Sequence, residues 1–213
     1  MSKPTIFLAS SIHAVAGHIA ESIGSPKKNK LTFVYTGAEL GGLNRSWVKR
    51  DRKALVKAGF QMSDYTLTGK KQQTIKKDLS KTDIILMEGG NTCYLMQQIQ
   101  QTKSISVIHD LVERGKIYIG CSAGSIVAGS DINAGFYPNK IKDAPKLRGS
   151  KGLNLVDFSI IPHWGRADKE QNFLKYRLRH LYKSKNKIIL LSDSQYVVVE
   201  NKNYRIVDIR KDK

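Results

Sequence analysis

The chain of 213 residues contains only two cysteines and no long hydrophobic run. Cys93 and Cys121 are too few for a disulfide framework, which favours a reducing cytoplasm. The longest apolar runs, such as residues 188–191, are far too short to span a bilayer. The N-terminal stretch lacks the sustained apolar core and the small-residue cleavage site of a signal peptide. We therefore expect a soluble cytoplasmic protein without a membrane segment.

Acidic residues are also scarce, since 18 Asp and Glu stand against 36 Lys and Arg and leave a formal net charge of +18. A charge of this size invites a nucleic-acid interpretation. The basic residues are, however, spread over many segments, and no recognised nucleic-acid motif accompanies them. Such segments are residues 26–30, 48–53, 69–78 and 176–187. A solvated basic surface is the favoured interpretation, and we expect no nucleic-acid partner.

The chain shows no internal repeat and no proline-rich linker, which predicts a single domain over residues 1–213. Short apolar runs alternate with amphipathic stretches, a pattern typical of a mostly parallel sheet with helices on both faces. The predicted strands lie at 5–10, 31–37, 65–68, 82–90, 116–120, 157–165 and 187–193, before a closing hairpin at 195–209. The predicted helices lie at 46–60, 91–101, 104–115 and 169–184. We expect a doubly wound α/β fold similar to that of class I glutamine amidotransferases.

Three predicted strands end in sequences that could contribute to an active site, because ligands of such folds bind at the carboxyl ends of the strands. These sequences are EGGNT at 88–92, GCSAGS at 120–125 and PHWG at 162–165. Each has a plainer interpretation as an ordinary turn, and a G-x-x-x-x-G-K phosphate loop is missing from all three.

The GCSAG sequence fits G-x-S-x-G, the pattern of a nucleophile elbow between a strand and a helix. Two adjacent residues could be the nucleophile, and the spacing favours Ser122 because glycines stand two positions before and after it. Cys121 has Ile119 two positions before it, so we expect its side chain to point into the fold. On the pattern alone, a small-residue turn without catalysis is an equal alternative.

A serine nucleophile needs a neighbouring base. His163 is the best candidate because it follows a strand, whereas His109 and His180 lie within predicted helices and His13 and His18 follow the first strand. The glycines of EGGNT would let backbone N–H groups approach an oxyanion, together with the N–H of Ala123. Asn91 would cap the next helix or hold the loop.

The ordered set of EGGNT, GCSAGS and IIPHWG, at residues 88–165, resembles the serine peptidase family of dipeptidase E (aspartyl dipeptidase) and cyanophycinase. The resemblance implies a metal-free and cofactor-free serine hydrolase that cleaves short peptides through an acyl-enzyme. It implies Ser122 as the nucleophile and His163 as the general base. It also implies an oxyanion hole formed by Gly89, Gly90 and Ala123.

The third member of the triad is where the chain departs from this family. The family carries an acidic residue between the serine and the histidine, in a window that here reads YPNK at 137–140. The nearest carboxylates are Asp131 and Asp143, and Asp131 is favoured. A dyad oriented by Asn133 or by a backbone carbonyl is the alternative.

The resemblance also bears on specificity, since family members hold the acidic side chain of the substrate with a basic residue after the histidine motif. Lys169 in RADKEQ matches that position, and Arg166 is a second candidate. We expect these two residues and Asn91 to bind substrate, with an acidic residue before the scissile bond. Two ordinary charges at the start of a helix remain an alternative. A catalytically weak or inactive binding protein on the same fold is the second functional hypothesis.

Overall fold

The computed structural model describes residues 5–41, 45–135, 141–178, 182, 187–201 and 203–210. Nine strands are present among them. They are β1 (Thr5–Ala9), β2 (Lys30–Val34), β3 (Gln61–Tyr65), β4 (Ile84–Met87), β5 (Ile117–Cys121), β6 (Phe158–Pro162), β7 (Lys187–Leu191), β8 (Gln195–Glu200) and β9 (Asn203–Asp208). Seven strands form one sheet in the order β3-β2-β4-β5-β1-β8-β9, and β6 and β7 form a separate parallel pair.

Six α-helices connect or follow these strands in the described chain. They are α1 (Ile12–Ile23), α2 (Ser46–Lys57), α3 (Gln72–Leu79), α4 (Thr92–Gln101), α5 (Ile105–Glu113) and α6 (Ala123–Ala128). A later segment is α-helical over Glu170–Asn172 and π-helical over Phe173–Arg177. Within the described ranges, no helix combines the length and the apolar character needed to cross a bilayer.

The alternation of side chains along the strands builds a hydrophobic core on each face of the sheet. On β4, Ile85 and Met87 face one core, while Ile84 and Leu86 face the other. The first core also contains residues of α3 to α6 and of the β6–β7 pair, and the second contains residues of α1 and α2. Helices therefore cover both faces of the sheet, as the apolar character of its strands requires.

The predicted fold class is confirmed. Strands β3, β2, β4, β5 and β1 are all parallel, and β8 and β9 form the antiparallel closing hairpin. Four predicted elements differ from the sequence-based expectation, and helices α1 and α3 were not predicted. The strand predicted at 65–68 lies instead at Gln61–Tyr65, where it forms the edge of the sheet and pairs with β2. The strands predicted at 157–165 and 187–193 pair with each other and not with the main sheet. The segment predicted as one helix over 169–184 contains a π-helical turn.

The β6–β7 pair meets the main sheet at the carboxyl ends of its central strands. The backbone N–H of His163, which follows β6, donates to the hydroxyl of Ser10, which follows β1 (2.7 Å). The N–H of Trp164 donates to the carbonyl of Leu191, the last residue of β7 (2.9 Å). These contacts bring the ends of β1, β6 and β7 together, and the N–H of Ser122, which follows β5, donates to the carbonyl of Ala9 at the end of β1 (3.0 Å).

Candidate active site

Ser122 occupies a strained turn between β5 and α6. Its φ of 49° and ψ of −102° are unfavourable for a residue with a side chain. The turn closes because two glycines allow close packing. A Cβ on Gly120 would lie 2.7 Å from the backbone nitrogen of Ser125, and one on Gly124 would overlap the carbonyl of Met87. A strained turn between a strand and a helix, with Ser122 at its centre, is the geometry expected of a nucleophile elbow.

His163 lies beside this serine, as the sequence predicted. The Ser122 Oγ and the His163 Nε2 are 2.9 Å apart, which is hydrogen-bonding distance. His163 itself has a positive φ of 66° directly after β6, and the Ser10 hydroxyl holds its backbone N–H. The turn after β6 therefore directs the imidazole towards the serine.

The second nitrogen of the imidazole contacts a carboxylate that the sequence analysis missed. The His163 Nδ1 is 2.6 Å from the Oδ1 of Asp193, which lies between β7 and β8. The Ser10 hydroxyl donates to the same oxygen (2.8 Å), and the Nη1 of Arg166 lies 3.4 Å from the other. Burial would raise the pKa of Asp193, but hydrogen bonds from His163 and Ser10 and the charge of Arg166 lower it to about 2.

An ionised Asp193 fixes the proton positions in this chain of hydrogen bonds. A carboxylate only accepts, so the His163 Nδ1 must donate to it. The Nε2 is then the accepting nitrogen, and it can take the proton of the Ser122 hydroxyl. The arrangement is able to activate a serine nucleophile by general-base catalysis.

The expectation that Asp131 orients His163 is wrong, because Asp193 and Ser122 occupy both ring nitrogens. The Asp131 Oδ1 accepts instead from the backbone N–H of Asn133 (2.9 Å). The backbone of Asp131 also pairs with that of Lys151 in an isolated antiparallel β-bridge. The alternative of a dyad without a carboxylate is wrong for the same reason. Residues 137–140, where the family places its acid, lie outside the described residues.

The loop after β4 approaches the serine closely. A Cβ on Gly89 would lie only 3.3 Å from the Cβ of Ser122, so a larger residue would crowd the nucleophile. Gly90 has a φ of 131°, which side chains rarely adopt. Ala123 is the first residue of α6, directly after the serine. The three predicted oxyanion residues thus surround Ser122, and their role as donors remains a prediction.

Asn91 is the N-cap of α4, in agreement with its predicted capping role. Its side-chain oxygen accepts from the backbone N–H groups of Cys93 (3.0 Å) and Tyr94 (3.1 Å). Its amide nitrogen donates to the Oδ2 of Asp143 (3.1 Å), the other carboxylate considered for the triad. The side-chain oxygen and the side-chain nitrogen of Asn91 are therefore both hydrogen-bonded to other protein groups, although Asn91 also lines the pocket.

The pocket in front of Ser122 has a volume of roughly 850 Å³ and is lined by several cations. The predicted substrate-binding residues Arg166 and Lys169 are among them, but both contact Asp168. Arg166 forms two hydrogen bonds to this carboxylate (2.8 Å each), and the Nζ of Lys169 lies 3.5 Å from it. Arg50 also lines the pocket, and it forms no ion pair with any residue that the structure describes.

The remaining candidate groups lie elsewhere. Cys121 is only 3% exposed, as expected for a side chain that points into the fold. Burial raises the pKa of its thiol well above the usual range, and the charges of Glu88 and Asp51 raise it further.

His13 contacts Ser11 (2.8 Å) and His18 contacts Tyr196 (2.7 Å), so neither takes the place of His163. Asp51, Glu88 and Cys121 form the one cluster of potential metal ligands within the described ranges.

Comparison with known families gives a match over nearly the whole chain. The model of peptidase family S51 matches residues 6–207. An uncharacterised peptidase of Pasteurella multocida is 31% identical over 159 residues, which cover 75% of this chain and 76% of that protein. An uncharacterised peptidase of Listeria monocytogenes is 27% identical over 92% of this chain and 95% of its own.

Solved structures agree with the sequence comparison. A crystal structure of a Listeria monocytogenes protein, described as a candidate peptidase E, superposes with a TM-score of 0.86. It is 25% identical and covers 97% of this chain and 99% of its own. A peptidase from an acI-B1 actinobacterium has a TM-score of 0.67 at 17% identity, over 97% of this chain and 88% of its own, and shows the shared fold.

Proposed function

This chain belongs to peptidase family S51, and we propose that it is a serine peptidase that hydrolyses short peptides through an acyl-enzyme. The observation that carries the proposal is the chain of hydrogen bonds from Ser122 through His163 to Asp193. A serine hydroxyl at the centre of an elbow, a base at 2.9 Å and an ionised orienting carboxylate are the parts that acyl transfer requires.

In the first half of the reaction, the Ser122 Oγ attacks the carbonyl carbon of the scissile bond while His163 Nε2 takes its proton. The imidazolium is stabilised by Asp193 and then gives the proton to the leaving amine. In the second half, His163 takes a proton from water, the hydroxide attacks the acyl carbon, and the proton returns to Ser122.

The oxyanion of each tetrahedral intermediate is proposed to lie between the loop at Gly89–Gly90 and the start of α6 at Ala123. The close approach of Gly89 to the serine supports this location, because an oxyanion on the attacked carbon must lie beside the Oγ. The α6 helix has few residues, so its backbone N–H groups, and not a large helix dipole, would supply the stabilisation.

The pocket supports a short peptide with an acidic residue as the substrate. Its volume of roughly 850 Å³ suits a few residues and not a folded protein domain. Arg166 and Lys169 line the pocket and are proposed to hold an acidic side chain, but Asp168 balances part of their charge. Arg50 lines the same pocket, so we propose that it contributes to binding the acidic side chain.

The alternative of an inactive binding protein rested on the missing carboxylate at residues 137–140. Asp193 removes that reason, because it makes the contact to His163 that the missing residue would make. The peptidase hypothesis is therefore the better supported of the two.

The test is covalent labelling with a fluorophosphonate probe, followed by mass spectrometry of the intact protein and its peptides. We expect one adduct on Ser122 in the wild type, because the probe reacts only with an activated serine. Ser122→Ala should give no adduct, and His163→Ala should react at a small fraction of the wild-type rate. Thermal unfolding of each variant controls for folding.

Labelling of another residue, or a folded wild type that forms no adduct, would contradict the proposal and restore the binding-protein alternative. If the adduct forms, a dipeptide library then identifies the substrates. A labelled enzyme that cleaves no peptide would keep the serine mechanism and reject the peptide substrate.

A further inference from the structure

A buried cluster behind the nucleophile is not used by the serine chemistry. The side chains of Asp51, Glu88 and Cys121 come from α2, the residue after β4 and the end of β5. Each offers one oxygen or sulfur atom, and these atoms lie within 4.8 Å of one another. All three side chains are at most 3% exposed, and all three line the inner wall of the active-site pocket.

The charge of this cluster is not balanced by the described protein. Both carboxylate oxygens of Glu88 are buried without a hydrogen-bond partner among the described residues, and the buried Oδ1 of Asp51 contacts the His13 imidazole. No Lys or Arg among the described residues pairs with either carboxylate, and the only ion-pair contact is His13 Nδ1 at 3.2 Å from Asp51 Oδ1. Two buried carboxylates this close cannot both stay ionised without a proton or a cation between them.

We propose that Asp51, Glu88 and Cys121 form a binding site for a divalent cation of the Zn²⁺ class. A thiolate sulfur together with carboxylate oxygens favours a borderline cation, because Mg²⁺ and Ca²⁺ prefer oxygen ligands alone. Zinc lies at about 2.0–2.3 Å from such ligands, so in a tetrahedral site two ligand atoms are about 3.3–3.8 Å apart. The ligand atoms of the cluster lie within 4.8 Å of one another, so the side chains would have to close around the ion by up to about 1 Å.

The fourth ligand of a tetrahedral ion would be water or the imidazole of His13, whose Nδ1 lies 3.2 Å from the Asp51 Oδ1 and 2.8 Å from the Ser11 hydroxyl. Binding would displace the thiol proton of Cys121 and the proton shared by the two carboxyl groups. The ion would then connect α2, the loop that contains Gly89 and the strand that leads to Ser122. Its role is structural or regulatory, since the serine reaction requires no metal.

The experiment is a titration of chelator-treated protein with Zn²⁺ by calorimetry and with Co²⁺ by absorbance. We expect one Zn²⁺ per chain, a higher melting temperature in its presence, and a thiolate-to-cobalt charge-transfer band in the near ultraviolet. Cys121→Ser should lose the band, and Glu88→Gln should bind Zn²⁺ about tenfold more weakly or worse. Cys93→Ser is the matched control, because Cys93 is equally buried but lies outside the cluster.

Other results would overturn the inference. A wild type without stoichiometric Zn²⁺ binding, or a band that Cys121→Ser retains, would mean that Asp51 and Glu88 share a proton and no cation. If Cys121→Ser does not fold, a wild type that lacks the band still rejects the site, and Glu88→Gln decides where the ion binds. The titration can be repeated on Ser122→Ala, so its outcome does not depend on peptidase activity.

Discussion

Ser122 and Cys121 are neighbours in the chain, but their side chains lie in opposite environments. The positive φ of Ser122 turns its Oγ into the pocket, where His163 lies at 2.9 Å. Cys121 is the last residue of β5 and is buried at the inner wall of the pocket, against the core that α1 and α2 cover, where burial raises the pKa of its thiol. A protonated thiol is a poor nucleophile, so one backbone conformation decides which residue can react.

At the residue scale, the first prediction concerns Asp193. Asp193→Asn should lower kcat/KM for a peptide substrate by about 10³–10⁴-fold, because an amide no longer fixes the tautomer of His163 or stabilises its charged form. Asp131→Asn is the matched control and should retain wild-type activity, since Asp131 contacts the backbone of Asn133. Steady-state kinetics on the three proteins provide the measurement.

A strong loss in Asp131→Asn with little loss in Asp193→Asn would reverse the assignment. Equal losses in both variants would point to a general effect on folding, which the melting temperatures of the variants would reveal. Ser10→Ala should give an intermediate loss of kcat/KM, because the Ser10 hydroxyl is hydrogen-bonded to both the backbone of His163 and the carboxylate of Asp193.

The sequence predicted Ser122 and His163 but not Asp193, and the reason is physical. The first two residues lie in short local patterns, a turn between small residues and a strand end. Asp193 is brought to His163 only by the pairing of β7 with β6, a contact that local sequence does not encode. One signal was present, since Asp193 is the last residue of the strand predicted at 187–193, and the rule that sites gather at strand ends applies to it equally.

At the scale of the element, the elbow depends on how closely α6 packs against β4. The second prediction is that Gly124→Ala destabilises the protein by about 1–3 kcal/mol or more, because the added methyl group would overlap the carbonyl of Met87. The shift of α6 should also misplace Ser122 and abolish labelling by a fluorophosphonate. Urea unfolding and the labelling rate measure the two effects.

Gly17→Ala is the matched control for this substitution. Gly17 lies on the exposed side of α1, and a Cβ there meets nothing within 4 Å. The same chemical change should therefore stabilise the protein by about 0.5–1 kcal/mol, because alanine is the better helix former. A stable and fully reactive Gly124→Ala would show that α6 can move away from β4 without cost to the site.

The elements themselves were predictable to different degrees. The inner strands β1, β2, β4 and β5 are apolar on both faces, so the sequence marks them clearly, as it does the closing hairpin, whereas the polar edge strand β3 was misplaced. The segment after the histidine was not predictable in the same way. Its π-helical turn places the buried Arg177 where its guanidinium donates to the carbonyl of Pro162 (3.0 Å) and stacks on Phe173. Such a turn depends on tertiary contacts and has no periodic signature in the sequence.

At the scale of the whole molecule, the net charge of +18 bears on the approach of substrate. A positive protein attracts an anionic peptide over about one Debye length, which is ~10 Å at 0.1 M salt. Arg45, Arg50, Arg166 and Lys169 line the pocket and direct that attraction towards Ser122. The charge therefore has an explanation that involves the proposed substrate and requires no nucleic acid.

The third prediction follows from this distribution of charge. For a peptide with an acidic residue before the scissile bond, kcat/KM should fall several-fold as salt rises from about 50 to about 500 mM, because screening removes the attraction. For a neutral peptide of equal length it should change little. Arg50→Gln should lower the preference for the acidic peptide by about fivefold, which corresponds to ~1 kcal/mol for a partly exposed ion pair.

Lys27→Gln is the matched control, because it removes the same charge from an exposed turn that does not line the pocket. If Lys27→Gln reduces the preference as much as Arg50→Gln does, the attraction comes from net charge alone and the pocket has no specific site. If neither variant changes the preference, Arg166 and Lys169 hold the acidic side chain despite their contacts to Asp168. A preference lost only in Arg50→Gln would identify Arg50 as the cation that selects the substrate.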